Sequence, residues 1–481
     1  MWCQAVTPVT AQISVEQMAT TLLILGASGD LTSRLLLPAL GQLLGRERDR
    51  AVTLIGAGSD DLTADRWHET VASAFAAADA SDELACVKGT TYIKSDVTDP
   101  DSVHQLLAGI TGPLVIYFAL PPAVTRRCCE VISASDLPES TVLAMEKPFG
   151  GDVDSARSLN KLLLTLVPEE RIFRVDHFLG RSTLLNLLSV RLTNRVFAPI
   201  WDAEHVESVD IRFDETLALE DRARYYDRAG ALVDMIQSHL LQVLSLVALE
   251  PPGGLDAESL RSAKAAALRA ARIWDDDPKA SSRRARYTAG SIGARQTPSY
   301  ADEPGVDATR GTETFAEIVC EVQTERWAGV PFRLRSGKAL GAKRSEVSLR
   351  LRRVRHLDSG FIGDVPDGGL LTFALGPDEI RLELNTTGGP GPFQLRRDTL
   401  SSRLGDGQLL AYSEVLSDIL DGDVTLSVRA DAAEECWRIV QPVRDAWARG
   451  DVPLEEYAAG TGGPAQQAVD QGGGLASETS L

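Results

Sequence analysis

From Thr21 the chain alternates short all-apolar runs with helical patterns, and this alternation constrains the fold more tightly than any other feature. TLLIL is followed by the turn GASGDLTS, by the apolar-periodic RLLLPALGQLL and then by AVTLIGAG. WHETVASAFAAA precedes TYIKSDV, SVHQLLAGI precedes PLVIYFAL, and TVLAMEK closes the series near Pro148. Strands that are apolar on both faces need cover on both faces. Strands separated by helices run parallel, so the spacing predicts a doubly wound parallel sheet within a domain over 21–175.

Beyond about residue 176 the texture changes. A long helix is expected over GALVDMIQSHLLQVLSLVALE, then a Pro/Gly break, then the Ala/Arg-rich helix SLRSAKAAALRAARIW. The segments TFAEIVCEVQ, PFRLRSG, SEVSLRLRRV and EIRLELNT follow, several alternating polar and apolar residues at period two. That alternation predicts an α+β domain over 176–465 with an antiparallel sheet packed on helices by one face. Residues 1–20 are expected to be a flexible N-terminus, and the Gly/Gln/Ser-rich 466–481 a disordered tail. No fixed-period repeat is found.

Charge narrows the range of partners. With 49 basic against 68 acidic residues the net charge is −19, which argues against nucleic acid or anionic membrane as partners, because both need a broad basic surface. A small anion in a local basic pocket remains compatible. The six cysteines (Cys3, Cys86, Cys128, Cys129, Cys320, Cys436) show no C-x-x-C pair and no metal-ligand spacing. They are expected to be reduced thiols of a cytoplasmic protein without a metal site. No basic n-region with an apolar h-region opens the chain, and no unbroken apolar run reaches the ~18 to 20 residues of a membrane span.

Gly26 and Gly29 of LILGASGDL stand where the first strand hands over to a helix, a place where a pyrophosphate can rest on free backbone N–H groups. The full G-x-G-x-x-G fingerprint is absent, so a tight βα turn is the competing reading. LIGAGSDD, after the second strand, lacks the third glycine; its end is read as the adenosine-ribose position, where an acid favours a 2′-hydroxyl and an arginine a 2′-phosphate. Ser59, Asp60 and Asp61 occupy it, with no arginine before Arg66. Asp60 lies 34 residues after Gly26, farther than the usual ~20.

RVDHFLGR concentrates Arg174, Asp176, His177 and Arg181 in a chain with only six histidines. On a helical turn His177 and Arg181 share one face and suit a phosphate or carboxylate; a surface Asp/Arg network around a partly buried histidine is the competing reading. Lys147 of EKPFG falls at the C-terminal edge of a parallel strand, where doubly wound sheets bind ligands, although a lysine there is also compatible with plain solvation. Asp234 and His239 fall on the long helix, where a histidine among leucines is by default a satisfied core residue. Lys338, Lys343 and Arg344 of SGKALGAKR form a basic loop, able to meet an anion or to be solvated. Oxidation of an alcohol needs a base for the hydroxyl proton while hydride leaves carbon. A histidine steadied by a carboxylate suits that task, and Asp176 with His239 is the candidate dyad.

These segments together resemble the glucose-6-phosphate dehydrogenase family over roughly residues 20–465. The resemblance runs in order through GASGDL, ALPPAV, EKPFG, RVDHFLGR with NLLSVRLTNRVFAPIWD, YYDRAGALVDMIQSHLLQVLSLVALEPP, TETF, GVPFRLRSGKAL and ECWRIVQPVRDAW. It implies an α/β Rossmann-like coenzyme domain plus an α+β domain with a large, mostly antiparallel sheet that usually forms a homodimer or homotetramer interface. It implies His239 as the base at the C1 hydroxyl and Asp176 as its partner. His177 and Arg181, helped by Lys343 or Arg344, match phosphate-binding positions, while Lys147, Glu215, Asp234 and Lys338 match positions that hold the sugar. Gly26, Ser28, Gly29, Asp30, Leu31, Ser59 and Lys147 match the coenzyme side. The implied reaction converts glucose 6-phosphate to 6-phosphogluconolactone with reduction of NADP or NAD.

The chain departs from the family pattern in ways that bear on chemistry. The family's D-H-Y-L-G-K reads D-H-F-L-G-R, so Phe178 lacks a hydroxyl and Arg181 presents a fork in place of an ammonium. Leu35 stands where the family usually has a lysine, and Arg224 where glycine is commoner. Ser59, followed by two aspartates, replaces the usual arginine for the 2′-phosphate, which leans towards NAD. The departures leave two alternatives open: a dehydrogenase of another hexose 6-phosphate, or a non-catalytic regulator that binds sugar phosphate or coenzyme.

Overall fold

A computed structural model describes residues 19–179, 182–220, 223–358, 360–361, 367–388, 391–404 and 411–465. The N-terminal and C-terminal expectations fall on 1–18 and 466–481, outside the described residues, as does Arg181.

The apolar runs form the expected parallel sheet. Its strands are β1 (Thr20–Leu25), β2 (Val52–Gly58), β3 (Val87–Lys94), β4 (Leu114–Phe118), β5 (Val142–Glu146) and β6 (Ile172–Val175), in the order β3-β2-β1-β4-β5-β6. This is the doubly wound order, with its reversal between β1 and β4. All residues of β4 and β6 are buried, which is why these segments read as continuous apolar runs. Helices on both faces supply the cover, among them Leu37–Arg46 and Pro100–Ala108.

The second sheet is mixed and mostly antiparallel. It comprises β7 (Val206–Asp214), β8 (Ala271–Ile273), β9 (Ser282–Thr288), β12 (Phe315–Val322), β13 (Phe332–Gly337), β14 (Arg344–Leu351), β15 (Leu370–Leu375), β16 (Asp378–Thr387), β17 (Leu395–Arg403) and β18 (Leu454–Ala458), with a separate hairpin of β10 (Gly290–Ile292) and β11 (Arg295–Thr297). The Ala/Arg-rich helix ends at Ala270, and ARI, assigned to its tail from sequence, is β8 instead. Two pairs are parallel, β7 with β13 and β9 with β18. The β7–β13 register sets Asp214 opposite Gly337, so the residues that follow each strand emerge side by side.

Two further features differ from the sequence reading. The long helix starts after a break at Gly230, where φ is +66°, and its first half, Leu232–Leu240, is π-helical. Counted across that break, Tyr225–Ala248 is long and apolar enough to cross a membrane, yet 83% of its 18-residue apolar window is buried inside the protein. Asp234, Gln237, His239 and Gln242 interrupt it, so no unbroken apolar run shows in the sequence. The 411–424 segment, far along the chain, packs on the core of the first sheet through Leu416, Ile419 and Val424, and Ser413 Oγ donates to Gln42 Oε1 at 2.8 Å.

Gly26 is held at φ +83°, and a Cβ there would lie 2.3 Å from the Ala119 carbonyl oxygen. An L side chain is therefore both strained and blocked. Gly26→Ala is expected to destabilise the protein by at least about 1–3 kcal/mol, measured as a lowered denaturation midpoint with an unchanged denaturant slope.

Candidate active site

The candidate residues gather because they follow the C-terminal ends of parallel strands. Gly26 follows β1, Ser59 follows β2, Lys147 follows β5 and Asp176 follows β6. Strands that run parallel in one sheet deliver such residues to one edge, the edge at which doubly wound sheets bind ligands. The β7–β13 pair repeats the device with Glu215 and Lys338. Lys338 Nζ donates to Glu215 Oε2 at 2.8 Å and lies 5.2 Å from the centre of the Tyr226 ring.

Asp176 and His239, 63 positions apart, meet: the Nδ1···Oδ1 distance is 2.5 Å, with both residues nearly fully buried. Asp176 Oδ1 also accepts the Phe178 N–H at 2.9 Å. With Nδ1 engaged, His239 Nε2 has no hydrogen-bond partner among the described residues. Burial holds the His239 imidazole below its ordinary 6.5, against the raising influence of Asp176. Burial would raise Asp176, but His239, His177 and the Phe178 N–H outweigh it and keep the carboxyl below its usual 3.8. Near neutral pH the dyad is therefore a neutral imidazole beside a carboxylate, ready to accept a proton at Nε2.

Aromatic packing fixes the imidazole. The Phe178 ring stacks on His239 with centroids 4.2 Å apart at 15°. His177 meets His239 edge-on at 4.9 Å and stacks on Tyr412 at 5.3 Å and 13°. Phe178 thus supplies an apolar face against the imidazole, which reinforces its desolvation. His177 lies on a turn closed by Leu179 N–H to the Asp176 carbonyl at 3.0 Å, not on a helix. Arg174, from the same charged cluster, turns the other way. It is wholly buried and holds Glu169 at 2.9 Å and Asn160 Oδ1 at 2.8 Å, which anchors β6.

Asp176, His177 and His239 place ligand atoms within 4.8 Å of one another, close enough to suggest a cation site. Of those atoms His239 Nδ1 and Asp176 Oδ1 are already spent on each other at 2.5 Å.

Lys147 Nζ donates to Asp234 Oδ1 at 3.0 Å and to the Asp234 carbonyl at 2.7 Å. Burial would raise the Asp234 carboxyl, but Lys147 outweighs it and holds it below the usual range. Lys343 and Arg344 are exposed, and Arg344 opens β14 opposite Asp214, at the end of the sheet from which Glu215 and Lys338 emerge. On the coenzyme side, Ser28, Gly29 and Asp30 are exposed, Leu31 is half-buried, and the helix begins at Asp30. Its first N–H groups have no intrahelical partner and face a turn in which Gly26 cannot carry a side chain. These residues fit a pyrophosphate. Ser59, Asp60 and Asp61 are exposed just past β2, and Leu35 is 41% exposed.

Three contributors escaped the sequence reading. Tyr412, stacked on His177, also donates to Glu146 Oε1 at 3.2 Å, and Tyr117 donates to the same oxygen at 2.6 Å. Tyr412 comes from the segment that returns to the first sheet, and no local pattern marks it. Lys94, at the end of β3, lies 3.4 Å from Asp61 and partly offsets the acidity of the edge past β2; its place as the last residue of a parallel strand was the available signal.

Comparison with known proteins gives the family. Residues 23–186 match the family model "Glucose-6-phosphate dehydrogenase, NAD binding domain", and residues 188–471 match "Glucose-6-phosphate dehydrogenase, C-terminal domain". The chain is 36% identical to the glucose-6-phosphate 1-dehydrogenase of Gluconobacter oxydans, covering 92% of this chain and 94% of that protein. It is 34% identical to the Rhizobium meliloti enzyme of the same name, with coverage of 92% and 94%. Among solved structures, glucose-6-phosphate 1-dehydrogenase from Mycobacterium avium superposes with a TM-score of 0.81 at 34% identity, covering 93% of this chain and 95% of that one. A glucose-6-phosphate dehydrogenase in complex with its substrate glucose-6-phosphate gives 0.80 at 29% identity, with coverage of 92% and 95%. Two matched domain models spanning nearly the whole chain, over a fold of the same order and extent, make this chain a member of the glucose-6-phosphate dehydrogenase family.

Proposed function

We propose that this protein oxidises C1 of glucose 6-phosphate to 6-phosphogluconolactone. The observation that carries the proposal is the buried His239–Asp176 pair, its Nε2 unpartnered among the described residues, at the ligand-binding edge of the parallel sheet. His239 Nε2 takes the C1 hydroxyl proton as the C1–O bond becomes a carbonyl, and Asp176 stabilises the resulting imidazolium. A nicotinamide coenzyme, when bound, accepts the hydride from C1. Lys147 with Asp234 and Lys338 with Glu215 present paired donors and acceptors to the sugar hydroxyls. His177, Arg181 and Lys343 hold the phosphate. The protein acts in the cytoplasm as a homodimer or homotetramer. Steady-state reduction of coenzyme by glucose 6-phosphate tests the reading: absence of turnover with either coenzyme in folded protein overturns it, and a hexose 6-phosphate used better than glucose 6-phosphate replaces the substrate.

The coenzyme leans towards NAD. Three side chains without positive charge, two of them acids, end β2 where a 2′-phosphate would sit, with Lys94 as the opposing influence. Ser59→Arg is expected to raise kcat/KM with NADP about 10-fold, the effect of one charge-assisted hydrogen bond, with little change for NAD. An unchanged NADP value would remove Ser59 from the ribose site.

A further inference from the structure

A cavity of about 470 Å³ lies at the start of the helix that carries Asp234 and His239, and none of the candidate catalytic, substrate or coenzyme residues lines it. Its walls bring together four arginines, Arg228, Arg284, Arg310 and Arg444. Arg310 is committed to Asp227 at 3.4 Å and Asp307 at 3.3 Å. The other three have no carboxylate within 4.0 Å among the described residues. Arg284 is held by the Val452 carbonyl at 2.9 Å and the Trp447 carbonyl at 3.1 Å, and Arg444 by the Gly151 carbonyl at 2.8 Å. Arg228 is exposed and has no side-chain bond among the described residues. Three guanidinium groups without a carboxylate contact around one concavity stand out in a chain of net charge −19, because like charges repel unless an anion sits among them.

The acids of the cavity do not supply that anion. Asp227 is spent on Arg310, the Tyr300 hydroxyl at 2.9 Å and the Asp307 N–H at 3.1 Å. Glu313 is buried, gives its Oε1 to the Leu232 N–H and has none of those three arginines within 4.0 Å among the described residues, and burial pushes its carboxyl up to about 7 despite Arg284 and Arg444.

We propose that this cavity is a second ligand site that binds a small polyanion bearing phosphate groups. Guanidinium forks match phosphate oxygens in pairs, and the volume is that of a small-molecule pocket. The site is mechanically joined to the proposed active site. Glu313 Oε1 accepts the Leu232 N–H at 3.0 Å, two residues before Asp234, and a Cβ on Gly230 would lie 2.2 Å from the same oxygen. On the other side of Glu313, the Thr314 carbonyl accepts the Lys338 N–H at 2.9 Å. An anion that draws the arginines together shifts the turn from which both Lys147–Asp234 and Lys338–Glu215 are positioned, so occupancy changes the apparent KM for the sugar phosphate. This second statement rests on the dehydrogenase reading; the binding statement does not.

The test is calorimetric titration of the full-length protein with tripolyphosphate, inorganic phosphate and citrate at constant ionic strength, in the presence of saturating glucose 6-phosphate. Expected are one tripolyphosphate site per chain that survives the glucose 6-phosphate, at least a 10-fold loss of its affinity in Arg228→Glu, and a KM shift of about 3-fold or more in the wild type that Arg228→Glu abolishes. Arg444→Gln is the companion variant, since one of the two must weaken binding. No binding, binding competed away by glucose 6-phosphate, or binding unaltered in both variants overturns the site. Citrate bound as tightly as tripolyphosphate overturns the phosphate class, and binding with no kinetic change overturns the coupling. A wild type without turnover counts against the dehydrogenase reading alone, because calorimetry still decides the site.

Discussion

His239→Asn is expected to lower kcat for glucose 6-phosphate by about 10²–10⁴-fold, the range over which a positioned general base contributes, while leaving the protein folded. Asparagine approximates the Nδ1 side of the ring, so its amide can still reach Asp176 Oδ1, and only Nε2, the proposed proton acceptor, is lost. Because burial holds the imidazole below 6.5, the midpoint of the wild-type acid limb should lie below pH 6.5, where His239 protonates. The sign follows from the role: a base works when neutral, so activity falls as pH drops through its depressed pKa. A variant within about threefold of wild-type kcat, or a wild-type acid limb lying well above pH 6.5, removes His239 from the proton transfer.

Asp176→Asn is expected to reduce kcat by a comparable ~10²–10⁴-fold, and its pH profile separates a role in positioning the base from a merely structural one. The carboxylate raises the His239 pKa against burial. Removing the charge therefore lets the pKa fall further, so the acid limb moves to lower pH while the plateau drops. Asp176 Oδ2 is buried without a partner among the described residues, and an amide nitrogen in its place is buried just as poorly, so some stability is lost as well. The combination with His239→Asn decides whether the two act as a unit: the double variant should be about as slow as His239→Asn alone, since residues that serve one step are not additive. Losses that multiply, or an unshifted acid limb in Asp176→Asn, contradict the dyad.

Much of the first domain was legible because each strand of a covered parallel sheet must be apolar on both faces, a pattern that local sequence carries in full. The mixed sheet was less legible. PFRLRSG and SEVSLRLRRV show their strand character through period-two alternation, but β7 and β13 pair in parallel, and nothing in either strand announces its direction. The long helix was visible by its apolar density, but not its π-helical first half, since the sequence marks no change of winding between Leu232 and Ala248. RVDHFLGR was conspicuous as a cluster, yet its residues diverge: Asp176 to His239, His177 to Tyr412, and Arg174 to Glu169 and Asn160 in the core. Asp176 and His177, which follow β6, both touch His239, whereas Arg174, still within the strand, is spent on the core, so proximity in sequence did not show which members of the cluster share a site.

What the sequence determined by itself was the kind of parts: parallel strands with a glycine turn, a sheet with one alternating face, and a set of histidine, lysine and carboxylate side chains suited to alcohol oxidation. Tertiary structure alone decided their partners. Asp176 pairs with a histidine 63 positions away, Lys147 with an aspartate 87 away and Glu215 with a lysine 123 away. Each pair forms because strand order and direction bring distant chain segments to a common edge, and pairing order is set by the packing of whole strands and helices, which no local pattern of residue types encodes.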